Sequence, residues 1–230
     1  MFAPSDYLDL SETDHAGLFL DGDPVWASLS RISDYLDIAL GKVDGDLIQG
    51  EVHQRAVVGD HVYIAPGATI EANAVIQGPA WIGSGTTVRS GSYVRENVIV
   101  GDNCVLGNSS EFKNCLLFNG CEVPHFNYVG DSIIGYKGHL GAGVICSNVR
   151  LDRANVVIRD GSGGLINTGL RKFGAIVGDR TEVGCNTVLS PGSVLGRDCI
   201  VYPCTSWQGV LEANSIAKNK QSISVVKKKA

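Results

Sequence analysis

Charge is scarce in this sequence: Asp, Glu, Lys and Arg together make up 19% of its 230 residues. Disordered chains and long solvated helices need more than that. Long apolar runs are missing too, and none approaches the roughly 20 residues of a membrane-spanning helix. The start, MFAPSDYLDLSETD, is acidic and lacks the basic residues that open a signal peptide. A soluble, cytoplasmic protein is therefore expected. Positive charge is not in excess either, the net charge being −5, so no nucleic-acid surface is expected. The one basic cluster is the tail, with Lys218, Lys220, Lys227, Lys228 and Lys229. It reads as a solvated terminus, with the holding of a phosphorylated ligand as the sharper alternative. The seven cysteines are scattered, odd in number and never spaced as Cys-x-x-Cys, which argues for reduced thiols. No serine or cysteine motif marks a nucleophile.

What is present is glycine, 29 residues of it, and a strict period. A large apolar residue recurs at every sixth position: Val52, Val58, Ile64, Ile70, Ile76, Ile82, Val88, Val94, Val100, Leu106, Phe112 and Phe118. The period resumes at Tyr128, Ile134 and Leu140, and again from Val177 through Val183, Leu189, Leu195 and Val201 to Trp207. The fourth residue after each large one is usually small, as at Ala68, Ala74, Thr86, Cys104, Thr181 and Cys199. Glycine often follows the large residue directly, as at Gly59, Gly83 and Gly107. Neither a 3.6-residue helix nor plain strand alternation yields a strict six. Short strands joined by sharp corners do, each strand pairing with its equivalent one coil further on. The sequence thus predicts an all-β parallel β-helix over residues 46–210, with Cys104 and Cys199 as small core fillers. Residues 1–45 are expected to form a helical cap on the first coil. Its helix would run from Asp23, as N-cap, to Leu40, with Pro24 just inside. Residues 211–230 would be a basic tail.

Two stretches break the rhythm. One is VPHFNYVGD, positions 123 to 131; the other runs from 147 to 174, where Asn155 to Asn167 reads as a hairpin around a Gly-rich turn, expected to leave the prism toward a neighbouring subunit. Irregular segments on a rigid scaffold are where chemistry tends to sit. His125 lies in the first, with Tyr128 three residues on, Glu111 and Lys113 about one coil earlier and Arg95 a coil before those. Two cations suit a phosphate. An imidazole can take a proton near neutral pH, and Glu111 is positioned in sequence to orient it. His15, His53 and His61 read as ordinary surface or satisfied residues. A zinc site of the γ-carbonic-anhydrase type would need a third histidine beside His125 and His139, and none has the spacing; no metal is expected.

The segment EFKNCLLFNGCEVPHFNYVGDSIIGYKGHLGAGVICSN, residues 111 to 148, is similar to a known family. It resembles the acetyltransferase domain of the bifunctional sugar-1-phosphate nucleotidylyltransferase/amino-sugar-1-phosphate acetyltransferases. The glucosamine-1-phosphate acetyltransferase of UDP-N-acetylglucosamine synthesis is among them. The likeness runs over roughly residues 50 to 207, and the insertion at 147–174 resembles the glucose-1-phosphate thymidylyltransferase-like branch. The resemblance implies a left-handed coil, where general crossover rules favour the right hand, and a homotrimer with sites in the clefts between subunits. It implies acetyl-CoA as acyl donor and His125 as general base. Arg95, Lys113, Tyr128 and Lys172 would contact the sugar phosphate, and Ala142, Asn148 and Cys185 would line the acetyl-CoA site. His139 stands in the sugar site where bacterial-type enzymes carry asparagine. The C-terminal arginine of their CoA site has no clear counterpart. The nucleotidylyltransferase half is not expected in this chain. An N-acetyltransferase for an amino-sugar 1-phosphate is the first expectation; a non-catalytic partner or regulator of a separate nucleotidylyltransferase is the second.

Overall fold

The computed structural model describes residues 2–159, 164–220 and 224–228. Among these, short strands of mostly two or three residues stack into three parallel sheets that form the sides of a prism. One sheet runs from Glu51–Val52 through His139–Leu140 to Ile216–Ala217, and we call it the His139 face. A second runs from Val57–Val58 through Glu111–Lys113 to Ser206–Trp207, the Glu111 face. The third runs from Val62–Ile64 to Val210–Leu211. The hexads explain this: along most of the coil the large residue points inward and is sealed, Ile64, Ile76, Ile82, Val88, Val94 and Leu106 all having no exposed surface. Cys104 and Cys199 fill the core, as do Cys115, Cys121 and Cys146. The coil continues past residue 210, because Val210–Leu211 and Ile216–Ala217 still pair with the coil before them. Of the expected tail, Lys218, Lys220, Lys227 and Lys228 are exposed, while Lys229 lies outside the described residues.

The register shows where the period slips. Thr69 pairs with Thr87 and Thr87 with Val105, a coil of eighteen residues, but Val105 pairs with Glu122, a coil of seventeen. The missing residue is lost at a corner. Val94 reaches the left-handed Asn97 in three steps, whereas Phe112 reaches the left-handed Asn114 in two. Leu117, not Phe118, therefore pairs with Val100 and continues the inward row, although Phe118 is buried as well. The next corner is short in the same way, with Asp131 left-handed after Val129. Val129, not Tyr128, is the inward residue there, paired with Phe112. The ladder through His125 itself is unbroken, since His125 pairs with Asn108.

The N-terminal segment differs from the expected cap. Val25–Arg31 is a 3-10 helix and only Ile32–Leu40 is α-helical, with Asp23 bonded to Arg31 at 2.7 Å rather than capping. The segment does not sit on the first coil. It lies along the third sheet, with His15 against Trp81, Phe19 against Phe118 and Trp26 against Phe173. The sequence of that sheet accounts for this: its outward residues Ile99, Leu116, Ile133 and Ile176 are apolar, and every one is buried. The insertion does form a hairpin, Val157–Arg159 antiparallel to Leu165–Asn167. It packs on its own prism rather than leaving it: Val156 and Ile158 are fully buried and close on the corner glycine Gly192. Residues 160–163 of its turn lie outside the described residues. No helix among the described residues is long and apolar enough to cross a membrane.

Candidate active site

The prism corner between the His139 and Glu111 faces carries a column of residues at one coil's spacing. At each corner one residue is left-handed, namely Phe126, Gly143, Asn186 and Cys204. Each of their N–H groups donates to the corner residue one coil earlier. Phe126 donates to Asn108 (3.0 Å), Gly143 to His125 (3.0 Å), Asn186 to Ala142 (2.8 Å) and Cys204 to Cys185 (2.8 Å). His125, Ala142 and Cys185 thus rise in a single file at the roughly 4.8 Å spacing of paired strands. The sequence separates these three widely; the coil brings them onto one edge.

The corner that bears His125 is held from inside. Buried Asn127 accepts the His125 N–H at 3.0 Å and donates to Gly141 O at 2.7 Å, tying it to the next coil. Gly107 faces Pro124 so closely that a Cβ there would lie 1.6 Å from the Pro124 carbonyl oxygen. Only glycine fits. The His125 ring is exposed, with the exposed Phe126 beside it, and neither ring nitrogen has a hydrogen-bond partner among the described residues.

A second group gathers where the two short corners lie. Arg95 Nη1 donates to Glu111 Oε1 at 3.0 Å, and this bond holds the guanidinium pKa above its ordinary value. Arg95 also lies 3.4 Å from Glu96, and Lys113 is 3.8 Å from both Glu96 and Asp131. Glu111 therefore engages Arg95 and does not touch His125, so within one chain it does not orient that ring as expected. Asn148 is spent on the same group: its amide donates to Tyr128 Oη at 3.2 Å and to the buried Asp131. Burial raises the Tyr128 hydroxyl pKa. Gly130 makes room for that ring, since a Cβ there would meet Tyr128 Oη at 2.5 Å. The structure places Asn148 among the expected sugar-phosphate residues, apart from the column of Ala142 and Cys185. Lys172 is exposed; its backbone bridges Val149, next to Asn148, and among the described residues its side chain has no hydrogen bond or ion pair to the group.

His139 stands on the His139 face, one strand pair from Glu182, with Nδ1 2.6 Å from Glu182 Oε2. The two line a cavity of about 300 Å³ with Gly141, Cys185, Tyr202 and Pro203. Glu182, Asp131 and Asn127 are site residues that sequence reasoning did not single out, and Gly107 was read only as a repeat glycine. Asp131 and Asn127 had a signal, since both lie within VPHFNYVGD. Glu182 had none, because the 147–174 insertion separates it from His139. Among the described residues, no three His, Cys, Asp or Glu side chains converge as a metal ion requires.

Hexads, three parallel sheets and an imidazole at an open corner define a hexapeptide-repeat β-helix protein. The family model described as "GMPPB C-terminal domain" matches residues 76–223, and the chain belongs to that family. Among similar proteins, one from Methanocaldococcus jannaschii named bifunctional protein GlmU is 31% identical over 210 residues, covering 90% of this chain and 50% of that protein. A protein of the same name from Methanococcus maripaludis is 33% identical over 204 residues, covering 89% of this chain and 48% of its own length. A bifunctional sugar-1-phosphate nucleotidylyltransferase/acetyltransferase from Sulfurisphaera tokodaii is 29% identical over 202 residues, or 86% and 50% of the two chains. The chain spans about half the length of these relatives.

Proposed function

We propose that this protein is an acetyl-CoA-dependent N-acetyltransferase acting on an amino-sugar 1-phosphate. The observation that carries the reading is the corner column of His125, Ala142 and Cys185. It sets an exposed imidazole, with no ring partner among the described residues, in line with Ala142 and Cys185, two of the three positions that the resemblance assigns to acetyl-CoA. The amine attacks the thioester carbonyl directly, and His125 takes its proton. No covalent enzyme intermediate is formed. Arg95, Lys113 and Tyr128 receive the sugar phosphate, with Arg95 exchanging part of its bond to Glu111 for the anion. Lys172 is the further lysine of the sugar site. The name of the Sulfurisphaera tokodaii relative, which includes acetyltransferase, supports the same reading.

The site is completed in a cytoplasmic homotrimer. One face of the prism is covered by the chain's own N-terminal segment. The other two carry exposed apolar residues such as Val188, Ile200 and Ile216, which three chains packed side by side would cover. The test mixes the protein with acetyl-CoA and a panel of amino-sugar 1-phosphates and follows release of free thiol. Steady thiol release with one of the panel is expected. No release, with no acetyl-CoA binding by calorimetry, would instead select the reading as a non-catalytic partner of a separate nucleotidylyltransferase.

A further inference from the structure

Among the described residues, the imidazole that has a carboxylate partner is His139, not His125. The register accounts for the pair. Leu140 and Val183 point into the core, so their neighbours His139 and Glu182 point out side by side. A carboxylate oxygen 2.6 Å from Nδ1 fixes the ring's orientation and leaves Nε2 as the atom that exchanges protons. An imidazolium formed there faces a negative charge already in place. Around it the cavity walls are mainly apolar, with Ile200, Tyr202 and Pro203, and Cys185 of the corner column stands at its side.

The proposed reaction has two protons to move. An ammonium group that becomes an amide loses two. As the C–N bond forms and the C–S bond breaks, the departing sulfur gains one proton and the other passes to solvent. A site with two imidazoles can divide these tasks. We propose that His139, held by Glu182, delivers the proton to the departing sulfur of acetyl-CoA, while His125 accepts the proton from the attacking amine. This rests on the acetyltransferase reading above. It makes His139 a catalytic residue rather than a sugar contact, and Glu182 the residue that positions it.

The experiment uses the full chain, acetyl-CoA and an amino-sugar 1-phosphate, with thiol release as readout. His139→Asn keeps a side chain that hydrogen-bonds but carries no proton between atoms. Its kcat is expected to fall by about 10²–10⁴-fold, the usual range for loss of an acid–base group, with KM for the sugar phosphate unchanged. Imidazole added to His139→Ala is expected to restore part of the rate. Glu182→Gln is expected to lower kcat by less, and the double variant with His139→Asn to be no slower than His139→Asn alone. Glu182 is exposed and His139 half-buried, and both point out of the core, so unchanged circular dichroism is expected for every variant. Wild-type kcat in His139→Asn, or a loss confined to KM, overturns the proposal while leaving the acetyltransferase reading intact. A wild-type protein that transfers no acetyl group overturns both.

Discussion

Asp179 accepts the backbone N–H of Asp9 at 2.7 Å, joining the start of the chain to a corner late in the prism. The same carboxylate accepts from the Tyr136 N–H at 2.9 Å and lies 3.2 Å from Arg197 Nε. Burial raises the Asp179 pKa, so these donors hold a group that the interior disfavours as an anion. The N-terminal segment is thereby fastened along much of one face, from Trp81 to Asp179.

The segment is therefore part of the core and not a removable lid. Deleting residues 1–45 bares Ile99, Leu116, Ile133 and Ile176, each buried under it. Burial of one such side chain stabilises by about 1.5–3 kcal/mol. The truncated protein is expected to aggregate or to melt far below the full chain. A soluble truncation with unchanged melting temperature contradicts this packing.

His15 gives the same contact a dependence on pH. It is 3% exposed, its Nδ1 lies 3.3 Å from Tyr35 Oη, and its ring meets the edge of Trp81. Burial pushes its pKa down from 6.5 to about 4, against the smaller opposing effect of Asp14. The unfolded chain thus takes up a proton below pH 6.5 that the folded chain refuses until about pH 4. The stability this group contributes is present above pH 6.5 and is lost as pH falls through that window. Between pH 7 and pH 5 the loss is about 2 kcal/mol. Chemical denaturation at the two values is expected to show a smaller difference in His15→Phe than in the wild type by about that amount.

Gly107 is required by the backbone opposite it. With the Pro124 carbonyl oxygen 1.6 Å from the place of a Cβ, Gly107→Ala has to push apart the strands that carry Asn108 and His125. Overpacking of this kind costs about 1–3 kcal/mol or more. A lowered melting temperature is expected. Gly17→Ala, whose Cβ would make an ordinary 3.6 Å contact with Tyr35, is expected to leave it unchanged.

The fold was legible because the hexad is a direct record of inward and outward positions along the coil. Its handedness was not, and came from the resemblance alone. The slip was read about a dozen residues late. Phe118 is apolar and buried, so nothing in the composition showed that Leu117 had taken over the inward row after the short corner at Asn114. The place of the N-terminal segment was hidden for a similar reason. Ile99, Leu116 and Ile176 betray a covered face only once the sheets are known. At the site, spacing predicted the residues that a coil stacks, such as Glu111 below Tyr128. It could not predict hydrogen-bond partners, and so it gave Glu111 to His125 when the structure gives it to Arg95.

The central claim is that the exposed His125 ring takes the amine proton. Thiol release from acetyl-CoA, compared between the wild type and His125→Ala with the same amino-sugar 1-phosphate, tests it most directly. The account predicts a fall in turnover of about 10²–10⁴-fold with an unchanged melting temperature. A His125→Ala protein that turns over at the wild-type rate contradicts it.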